Sequence, residues 1–182
     1  MAKRRVWSDE EKEWLKENLR YDPDTGQLWW TKPRPKVNLD RPAGSCHKSS
    51  YIHIETTLIS GKRLQYKAHR LAWFLYYGED AGLLDHIDND RTNNRIENLR
   101  PATQLANSLN RKPWSASGYK GVYKNGNRWR ARIQVMGLCA NLGNFGTEEE
   151  AAMAFDKKCE EYRRRFPDLA VYFKTNKDLG LL

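Results

Sequence analysis

The residues best suited to chemistry lie in an Asn-rich segment, Leu83 to Arg111, that is also dense in Asp and Arg. His86 can exchange a proton near neutral pH, so it can serve as a base that activates water. Its neighbour Asp85 offers carboxylate oxygens of the kind that Mg²⁺ or Mn²⁺ binds. Asn98 and Asn107 follow downstream as further polar ligands or positioning groups. These residue types suit hydrolysis of a phosphodiester, which needs a base for the water and a cation for the charged phosphorane.

Short elements around these residues would have to position them. Asn98 begins a predicted short strand with the sequence NLRPA, and Thr103 is predicted to cap the helix QLANSLN that follows. Asn107 and Asn110 lie three residues apart on that helix and therefore share one face. A β-hairpin followed by the helix would gather the four candidate side chains around one ion. On residue types alone, a purely structural role for the Asp-His pair stays open.

Other familiar metal sites are excluded by their spacing. An EF-hand loop that starts at Asp88 requires a glutamate where this chain has Leu99. The chain contains no H-E-x-x-H motif and no cluster of cysteines. Asp88, Asn89, Asp90 and Asn93 are predicted instead to form a tight loop between two strands.

From Ala68 to Asn110 the sequence resembles the HNH nuclease family, in the variant that carries Asn in place of the final His. Three pieces carry the resemblance: AHRLAW, then DHIDNDRTNNRIENLR, then T-x-x-x-N. Eleven residues separate His86 from Asn98, and eight separate Asn98 from Asn107. The resemblance implies a ββα-metal fold that holds one divalent cation.

The resemblance also implies a role for each matched residue. Asp85 and Asn107 would bind the metal ion. His86 would be the general base for the attacking water. Asn98 would hold the His86 loop and orient its imidazole through a backbone hydrogen bond. Because an amide oxygen is a poorer zinc ligand than an imidazole, the expected ion is Mg²⁺ or Mn²⁺.

Two further polar residues in the resembling region are not expected to be metal ligands. Asn94 matches an Asn-Arg pair of the family pattern and is interpreted as structural. His69 lies at the head of the AHRLAW helix and is interpreted as a packing or phosphate-contacting residue.

The region before the motif is predicted to be rich in β-structure. Ser8 and Glu11 predict a capping box for a helix over residues 8–20. The segment YDPDTGQLWW predicts a turn that leads into an aromatic strand. The remaining predicted elements are a hairpin of strands over Tyr51–Leu58 and Arg63–Tyr66, and a buried helix over Ala68–Tyr77 that a glycine caps.

Residues 111–117 are predicted to form a linker, and a different pattern follows them. Three strands are predicted, over Tyr119–Lys124, Arg128–Val135 and Cys139–Phe145. Thr147 and Glu150 predict a second capping box, at the start of a helix with an apolar stripe. The segment is therefore predicted to be a three-stranded antiparallel sheet with one helix packed on it.

The middle strand has one charged face and one apolar face. Side chains alternate along a strand, so Arg128, Arg130, Arg132 and Gln134 share a face. The 29 residues from Gly118 to Gly146 contain five Lys or Arg and no Asp or Glu. A row of like charges destabilises an isolated sheet and so indicates an anionic partner, with a solvated basic face as the alternative. A ladder of this kind suits the major groove of DNA.

Gly118–Phe173 also resembles the AP2 DNA-binding domain, through GYKGVY, RWRARI, LGNFGTEEEAAMAFD and AVYF. The resemblance implies that the three-stranded sheet enters the major groove. The DNA contacts it assigns are Lys120, Tyr123, Arg132, Gln134, Asn141 and Asn144, to which the charged face adds Arg128 and Arg130. Several positions that are Arg or Trp in the family are Tyr, Gln or Asn here, so the recognised sequence is expected to differ.

Bulk composition agrees with a nucleic-acid partner. The formal net charge is +9, and basic proteins of this size often meet a polyanion. Cys46, Cys139 and Cys159 lie far apart without a C-x-x-C pair, so neither disulfides nor a zinc ribbon is predicted. The apolar run Leu71–Tyr77 is too short to span a membrane, and the basic N-terminus has no apolar segment of a secretory signal. We expect a cytoplasmic protein, in the host cytoplasm if phage-encoded, with no membrane and no small-molecule cofactor.

The predicted fold class is α+β, with two functional parts. Residues 1–66 form an N-terminal helix and β-rich lead-in, 67–110 the ββα-metal HNH core, 111–117 a linker, 118–173 the AP2-like domain and 174–182 a tail. The combination resembles phage-encoded homing endonucleases and implies a site-specific, metal-dependent endonuclease acting on double-stranded DNA. A site with one metal ion cuts one strand at a time, so a monomer would nick. The alternatives are a non-catalytic AP2-type regulator and a structure-selective nicking nuclease, and the choice between monomer and dimer stays open.

Overall fold

The computed structural model describes residues 5–35, 37–46, 51–57, 61–110, 113, 115–135 and 137–182. The chain forms two compact units, residues 1–101 and residues 102–182. Helices and strands occur in both units, so the expected mixed α+β structure is confirmed. In the described part of the chain, no helix is long and apolar enough to cross a membrane.

The first unit begins with a capped helix and a hairpin. α1 (Asp9–Asn18) follows Ser8, whose hydroxyl accepts a hydrogen bond from the Glu11 N–H while the Glu11 carboxylate accepts one from the Ser8 N–H. This is the predicted capping box. β1 (Leu19–Asp22) pairs antiparallel with β2 (Gln27–Trp30). The aromatic strand after the turn is confirmed, whereas β1 is not evident from the sequence because LRYD has no clear alternation.

A three-stranded sheet completes the lead-in, and a helix follows it. The sheet is antiparallel and contains β3 (Ser45–Cys46), β4 (Ile52–Thr57) and β5 (Arg63–Lys67). α2 (Ala68–Tyr77) follows β5 directly and ends at Gly78, which adopts a left-handed conformation with φ of 80°. The predicted hairpin and the glycine cap are both confirmed, although the tip of the hairpin lies outside the described residues.

The core of the first unit joins these elements. Trp7 makes edge contacts with the rings of Tyr66 and Phe74. Burial of such apolar area is the main favourable term in folding. The buried residues of this core are Trp7, Leu15, Leu19, Leu28, Ala43, Ile54, Tyr66, Ala68, Leu71 and Phe74.

A short hairpin closes the first unit. β6 (Leu84–His86) pairs antiparallel with β7 (Leu99–Pro101), and a 3-10 turn over Ile96–Asn98 leads into β7. The predicted strand NLRPA therefore begins one residue later than expected, because Asn98 ends the 3-10 turn. Ala72 and Trp73 of α2 form a small buried cluster with one leucine from each strand of the hairpin. This packing fixes the hairpin against the lead-in.

The second unit contains the predicted three-stranded sheet. Its strands are β8 (Val122–Asn125), β9 (Arg128–Val135) and β10 (Leu138–Phe145), in the antiparallel order β10-β9-β8. Along β9, exposed residues alternate with buried or half-buried ones. Ala131, Ile133 and Val135 are the buried residues. The predicted division of β9 into a polar face and an apolar face is confirmed.

One long helix packs against the sheet. α4 (Glu148–Arg165) begins after Thr147, and the capping box with Glu150 is present as predicted. A 3-10 helix over Pro167–Tyr172 follows. The buried side chains of α4 are Ala151, Ala152, Phe155 and Cys159.

The short helix α3 (Gln104–Leu109) packs into the same core. It begins after Thr103, whose hydroxyl accepts a hydrogen bond from the Ala106 N–H as predicted. Leu109, with the partly buried Leu105, joins the buried cluster of the second unit. The two leucines lie one helical turn apart, so one face of α3 is covered by this core. The sequence interpretation grouped α3 with the nuclease core, and the predicted domain boundaries stay a prediction.

Candidate functional site

The β6–β7 hairpin carries three of the four residues proposed for catalysis. Asp85 pairs with Arg100 and His86 pairs with Leu99 across the two strands. Asp85 and His86 are 4% and 5% exposed, so both polar side chains are almost fully withdrawn from water. Buried polar groups require partners, and those partners determine what the groups can do.

The Asp85 carboxylate is bound by a guanidinium. Arg100 donates from Nε at 3.0 Å and from Nη2 at 2.8 Å, and both hydrogen bonds reach Oδ2. Charge-assisted hydrogen bonds of this kind are short and directional. They fix the carboxylate on the strand next to the histidine.

The His86 imidazole is held by an amide. Its Nε2 lies 3.2 Å from Oδ1 of Asn94. An amide oxygen only accepts hydrogen bonds, so this contact requires the proton on Nε2 and makes Nδ1 the basic nitrogen. Burial lowers the pKa of His86, and this outweighs the opposing effects of the Asn94 hydrogen bond and the carboxylates of Asp88, Asp85 and Asp90. The imidazole is therefore uncharged at neutral pH, which is the form that accepts a proton.

Asn98 fastens the loop after His86. Its backbone oxygen accepts from the Ile87 N–H at 3.0 Å, and its Oδ1 accepts from the Asp88 N–H at 3.1 Å. Its Nδ2 donates to Asp88 Oδ1 at 2.9 Å and to the Asn93 oxygen at 2.8 Å. The amide is thus used for holding the loop, as the resemblance implies for Asn98.

The orientation of the imidazole involves Asn94, which sequence reasoning treated as structural. Asn94 is 2% exposed, and its backbone oxygen accepts a hydrogen bond from the Tyr21 hydroxyl at 2.7 Å. Gly26, in the turn between β1 and β2, has φ of 73°, and a Cβ there would meet the Asn94 carbonyl carbon at 2.6 Å. The lead-in therefore supports the residue that contacts His86. A local motif could not reveal these contacts.

The loop between β6 and the 3-10 turn is tight, as predicted. Asp88 Oδ1 accepts from the Asp90 N–H at 2.7 Å, and Asp90 Oδ1 accepts from the Thr92 N–H at 2.9 Å. Asn89 adopts a left-handed φ of 62°, which Asn tolerates better than most residues. These Asx contacts explain why the segment is dense in Asp and Asn.

His69 packs beside the candidate base. Its ring centroid lies 5.1 Å from that of His86 in an edge contact, and 5.2 Å from that of Tyr51. Burial, with smaller effects from His86 and nearby cations, lowers the pKa of His69 to about 3. A neutral, packed histidine agrees with the interpretation of His69 as a packing residue.

The two residues predicted to bind metal belong to different units. Asp85 lies on β6 in the first unit, and Asn107 lies on α3, half-buried, in the second. Carboxylate and amide oxygens are hard ligands that suit Mg²⁺ or Mn²⁺ better than zinc, and the predicted metal-binding roles of both residues stay predictions. Among the residues that the structure describes, no three His, Cys, Asp or Glu side chains are grouped so as to hold a metal ion.

The exposed face of the sheet of β8, β9 and β10 carries most of the predicted DNA contacts. The guanidinium of Arg132 lies 4.7 Å from the ring centroid of Tyr123. Arg128, Arg130 and Gln134 are exposed on the same strand. Tyr123, Lys124, Asn125, Arg130 and Arg132 line an open groove on this face.

The neighbouring strands add amides to this face. The Asn125 side chain donates to Asn144 Oδ1 at 2.9 Å, and Arg128 donates to the Asn144 backbone oxygen at 3.2 Å. Asn141 lies at the register shift in β10, where its Oδ1 accepts from the Gly143 N–H at 3.3 Å. The sequence does not identify Asn125 as a candidate DNA contact. Its cross-strand bond to Asn144 and its place in the groove show that it belongs to this face.

Lys120 is placed differently from the other predicted DNA contacts. Its ammonium donates to the backbone oxygen of Leu109 at the end of α3. Its backbone N–H donates to Asn176 Oδ1 at 2.6 Å, and its backbone oxygen accepts from Asn176 Nδ2. Burial lowers the pKa of Lys120 to about 8. Lys120 therefore has structural partners in Leu109 and Asn176, and its predicted DNA contact stays a prediction.

Comparison with known proteins agrees with the nuclease part. Residues 66–109 match the family model of the HNH endonuclease. An uncharacterized HNH endonuclease of Acanthamoeba polyphaga mimivirus is 38% identical over 79 residues, which are 43% of this chain and 41% of the relative. Residues 66–109 are therefore similar to the HNH endonuclease family.

One further sequence relative and one solved structure each resemble about half of the chain. An AP2-like ethylene-responsive transcription factor of Arabidopsis thaliana is 34% identical over 105 residues, 53% of this chain and 30% of that protein. The HNH homing endonuclease I-HmuI, from a structure of DNA binding and cleavage, is 25% identical and covers 51% of each chain with a TM-score of 0.40. The chain thus spans less than half the length of the two sequence relatives.

Proposed function

We propose that this protein is a metal-dependent endonuclease that hydrolyses phosphodiester bonds of double-stranded DNA. The observation that carries the proposal is the His86 imidazole, buried, uncharged and bonded through Nε2 to Asn94 inside the HNH domain. A base in that state can take a proton from water at neutral pH.

The residues of the chain would act in sequence. Nδ1 of His86 removes a proton from a water molecule as the water oxygen forms its bond to phosphorus and the bond to the leaving oxygen breaks. Asn94 holds the imidazole, and Asn98 holds the loop next to it. Asp85 and Asn107 would hold one Mg²⁺ or Mn²⁺ ion, which supplies charge stabilisation for the phosphorane and the leaving oxygen when bound.

The second unit would bind the duplex. The exposed Arg128, Arg130 and Arg132 suit phosphates and guanine edges, and Gln134 and Asn144 suit adenine. The partial similarity to an AP2-like transcription factor supports a DNA-binding role for the chain. We propose a site-specific, homing-type enzyme in which the AP2-like sheet selects the site and each active site nicks one strand.

Plasmid nicking tests the proposal. Supercoiled plasmid is incubated with the protein and Mg²⁺ or Mn²⁺, with EDTA as the control. The wild type is expected to form nicked circles only with metal, and His86→Ala to lose at least about 100-fold in rate because a general base contributes that much or more. A wild type that does not cut under any of these conditions contradicts the proposal.

The same assay separates the alternatives. The AP2-type similarity favours a non-catalytic DNA-binding regulator as the second candidate. If the protein is such a regulator, it will shift DNA in a gel without nicking it. Mapping of the cut ends distinguishes the two kinds of nuclease. A few defined breakpoints indicate site-specific cutting, whereas breaks confined to branched or distorted DNA indicate a structure-selective enzyme.

A further inference from the structure

An aromatic ring from the lead-in stands beside the candidate base. The Tyr51 ring centroid lies 5.2 Å from that of His69 and 6.1 Å from that of His86. Tyr51 precedes β4 and lies outside the stretch that matches the HNH family model. The lead-in therefore contributes a side chain to the surroundings of His86.

Two cations converge on this ring. Lys67 Nζ lies 4.5 Å from the Tyr51 centroid, and the guanidinium carbon of Arg91 lies 4.9 Å from it. A cation this close to an aromatic face is attracted by the ring quadrupole, but two cations on one ring also repel each other. Burial, and then the charges of Arg70 and Arg91, lower the pKa of Lys67. The two cations therefore bring positive charge to one place beside the ring.

The amino end of α2 adds to the positive field. Lys67 occupies the cap position of α2, and no acidic residue lies in the first turn of the helix. The first N–H groups of a helix carry partial positive charge and favour anions. Both Lys67 and Arg91 are exposed, so an anion from solution can reach them.

We propose that Tyr51, Lys67 and Arg91 form a phosphate-binding clamp beside His86, which holds the phosphodiester that is cut. The proposal rests on the proposed nuclease function and assigns a catalytic use to the lead-in. The guanidinium of Arg91 would bind two phosphate oxygens, the Lys67 ammonium would neutralise charge, and Tyr51 would hold both cations in place. A phosphodiester so held would lie near the imidazole that activates water.

A double substitution tests the clamp. Lys67→Met with Arg91→Met removes both charges and keeps apolar stems, and the matched control is Lys62→Met with Arg63→Met. The control removes the same charge from the other end of β5, roughly 13 Å away at about 3.3 Å per residue. Circular dichroism and thermal midpoints establish that each variant is folded, and the single variants Lys67→Gln and Arg91→Gln serve if the double variant is not.

Two readouts are measured. In single-turnover nicking with saturating DNA and Mn²⁺, the clamp variant is expected to lose at least about 100-fold in rate, as loss of charge-stabilising donors does in other enzymes, while its DNA affinity in EDTA falls less than tenfold. In EDTA, millimolar inorganic phosphate is expected to raise the thermal midpoint of the wild type and of the control more than that of the clamp variant. The single variant Lys67→Arg keeps the positive charge and should therefore retain most of the wild-type nicking rate.

The outcomes separate the clamp from the nuclease proposal. If the clamp variant cuts as fast as the control, or gains the same thermal shift from phosphate, the clamp is refuted although the nuclease stands. If the wild type never cuts but phosphate stabilises it through Lys67 and Arg91, the anion site stands and the nuclease proposal fails.

Discussion

Polar side chains in this protein take partners that a local sequence motif does not show. Lys120 illustrates the consequence, because its ammonium bonds to Leu109 although its position matches a DNA contact of the resembling family. A side chain that caps α3 contributes little to phosphate binding. The placement therefore separates Lys120 from the exposed lysine Lys124 on the same module.

Lys120→Met is expected to leave the salt dependence of DNA binding unchanged. Each phosphate contact contributes about 0.9 to the slope of log affinity against log salt concentration. Lys124→Met, its matched control, should reduce the magnitude of the slope by about one, because Lys124 is exposed on β8 and lines the groove. Fluorescence anisotropy with a labelled duplex in EDTA gives both slopes. A slope that falls equally in the two variants would return Lys120 to the set of DNA contacts.

His69 is expected to lower the folding stability as the pH becomes acidic. Its pKa is lowered to about 3 by burial, with His86, Lys67, Arg70 and His53 as further causes. The unfolded chain binds the proton below about pH 6.5 while the folded chain does not, so the stabilisation present above that pH is lost as pH falls from 6.5 towards 3.

The expected size of this effect is measurable. Between pH 7 and pH 5 the wild type should lose up to about 2 kcal/mol of unfolding free energy through His69, and His69→Gln should lose correspondingly less. Urea unfolding at the two pH values gives the comparison. Equal losses in both proteins would mean that His69 does not cause the dependence.

At the scale of elements, the turn between β1 and β2 supports the nuclease hairpin. Gly26 has φ of 73°, and a Cβ at this position would lie 2.5 Å from the Arg95 backbone nitrogen. Gly78 has φ of 80°, yet, apart from its two chain neighbours, none of the described residues has an atom within 4 Å of its Cβ position. The two glycines therefore share a conformation and differ in their surroundings.

Gly26→Ala is expected to cost about 3 kcal/mol of unfolding free energy or more, from left-handed strain combined with a backbone clash. Gly78→Ala should cost about 1 kcal/mol, for conformation alone. Because the clash involves Asn94 and Arg95, Gly26→Ala should also slow nicking. Chemical unfolding and the plasmid assay check the two effects, and equal stability of the two variants would contradict the contact.

At the scale of the whole molecule, two units carry separate groups of functional residues. The first contains the proposed base and the proposed clamp, and the second contains the exposed Arg ladder and the helix with Asn107. Binding and cutting should therefore respond to different substitutions.

Arg132→Ala tests this division of labour. The variant should bind DNA more weakly by roughly tenfold or more, since an Arg contact to a base is worth about 1–3 kcal/mol. It should still nick slowly and without site preference at high enzyme concentration. Binding that is unchanged while cutting vanishes would show that the division proposed here is wrong.

The sequence by itself determined the local features. Both capping boxes, the glycine cap of α2 and the two faces of β9 follow from side chains within a few residues of each other, so a linear pattern contains them. The register from His86 to Asn98 is likewise local to one hairpin.

Only the tertiary structure decided which partners the polar side chains have. Tyr21 bonds to Asn94 across 73 positions of the chain, and Lys120 bonds to Asn176 across 56. Such contacts depend on how buried surfaces meet, which no periodicity encodes. The fold therefore places Asn94 against the His86 imidazole and gives Lys120 the partners Leu109 and Asn176.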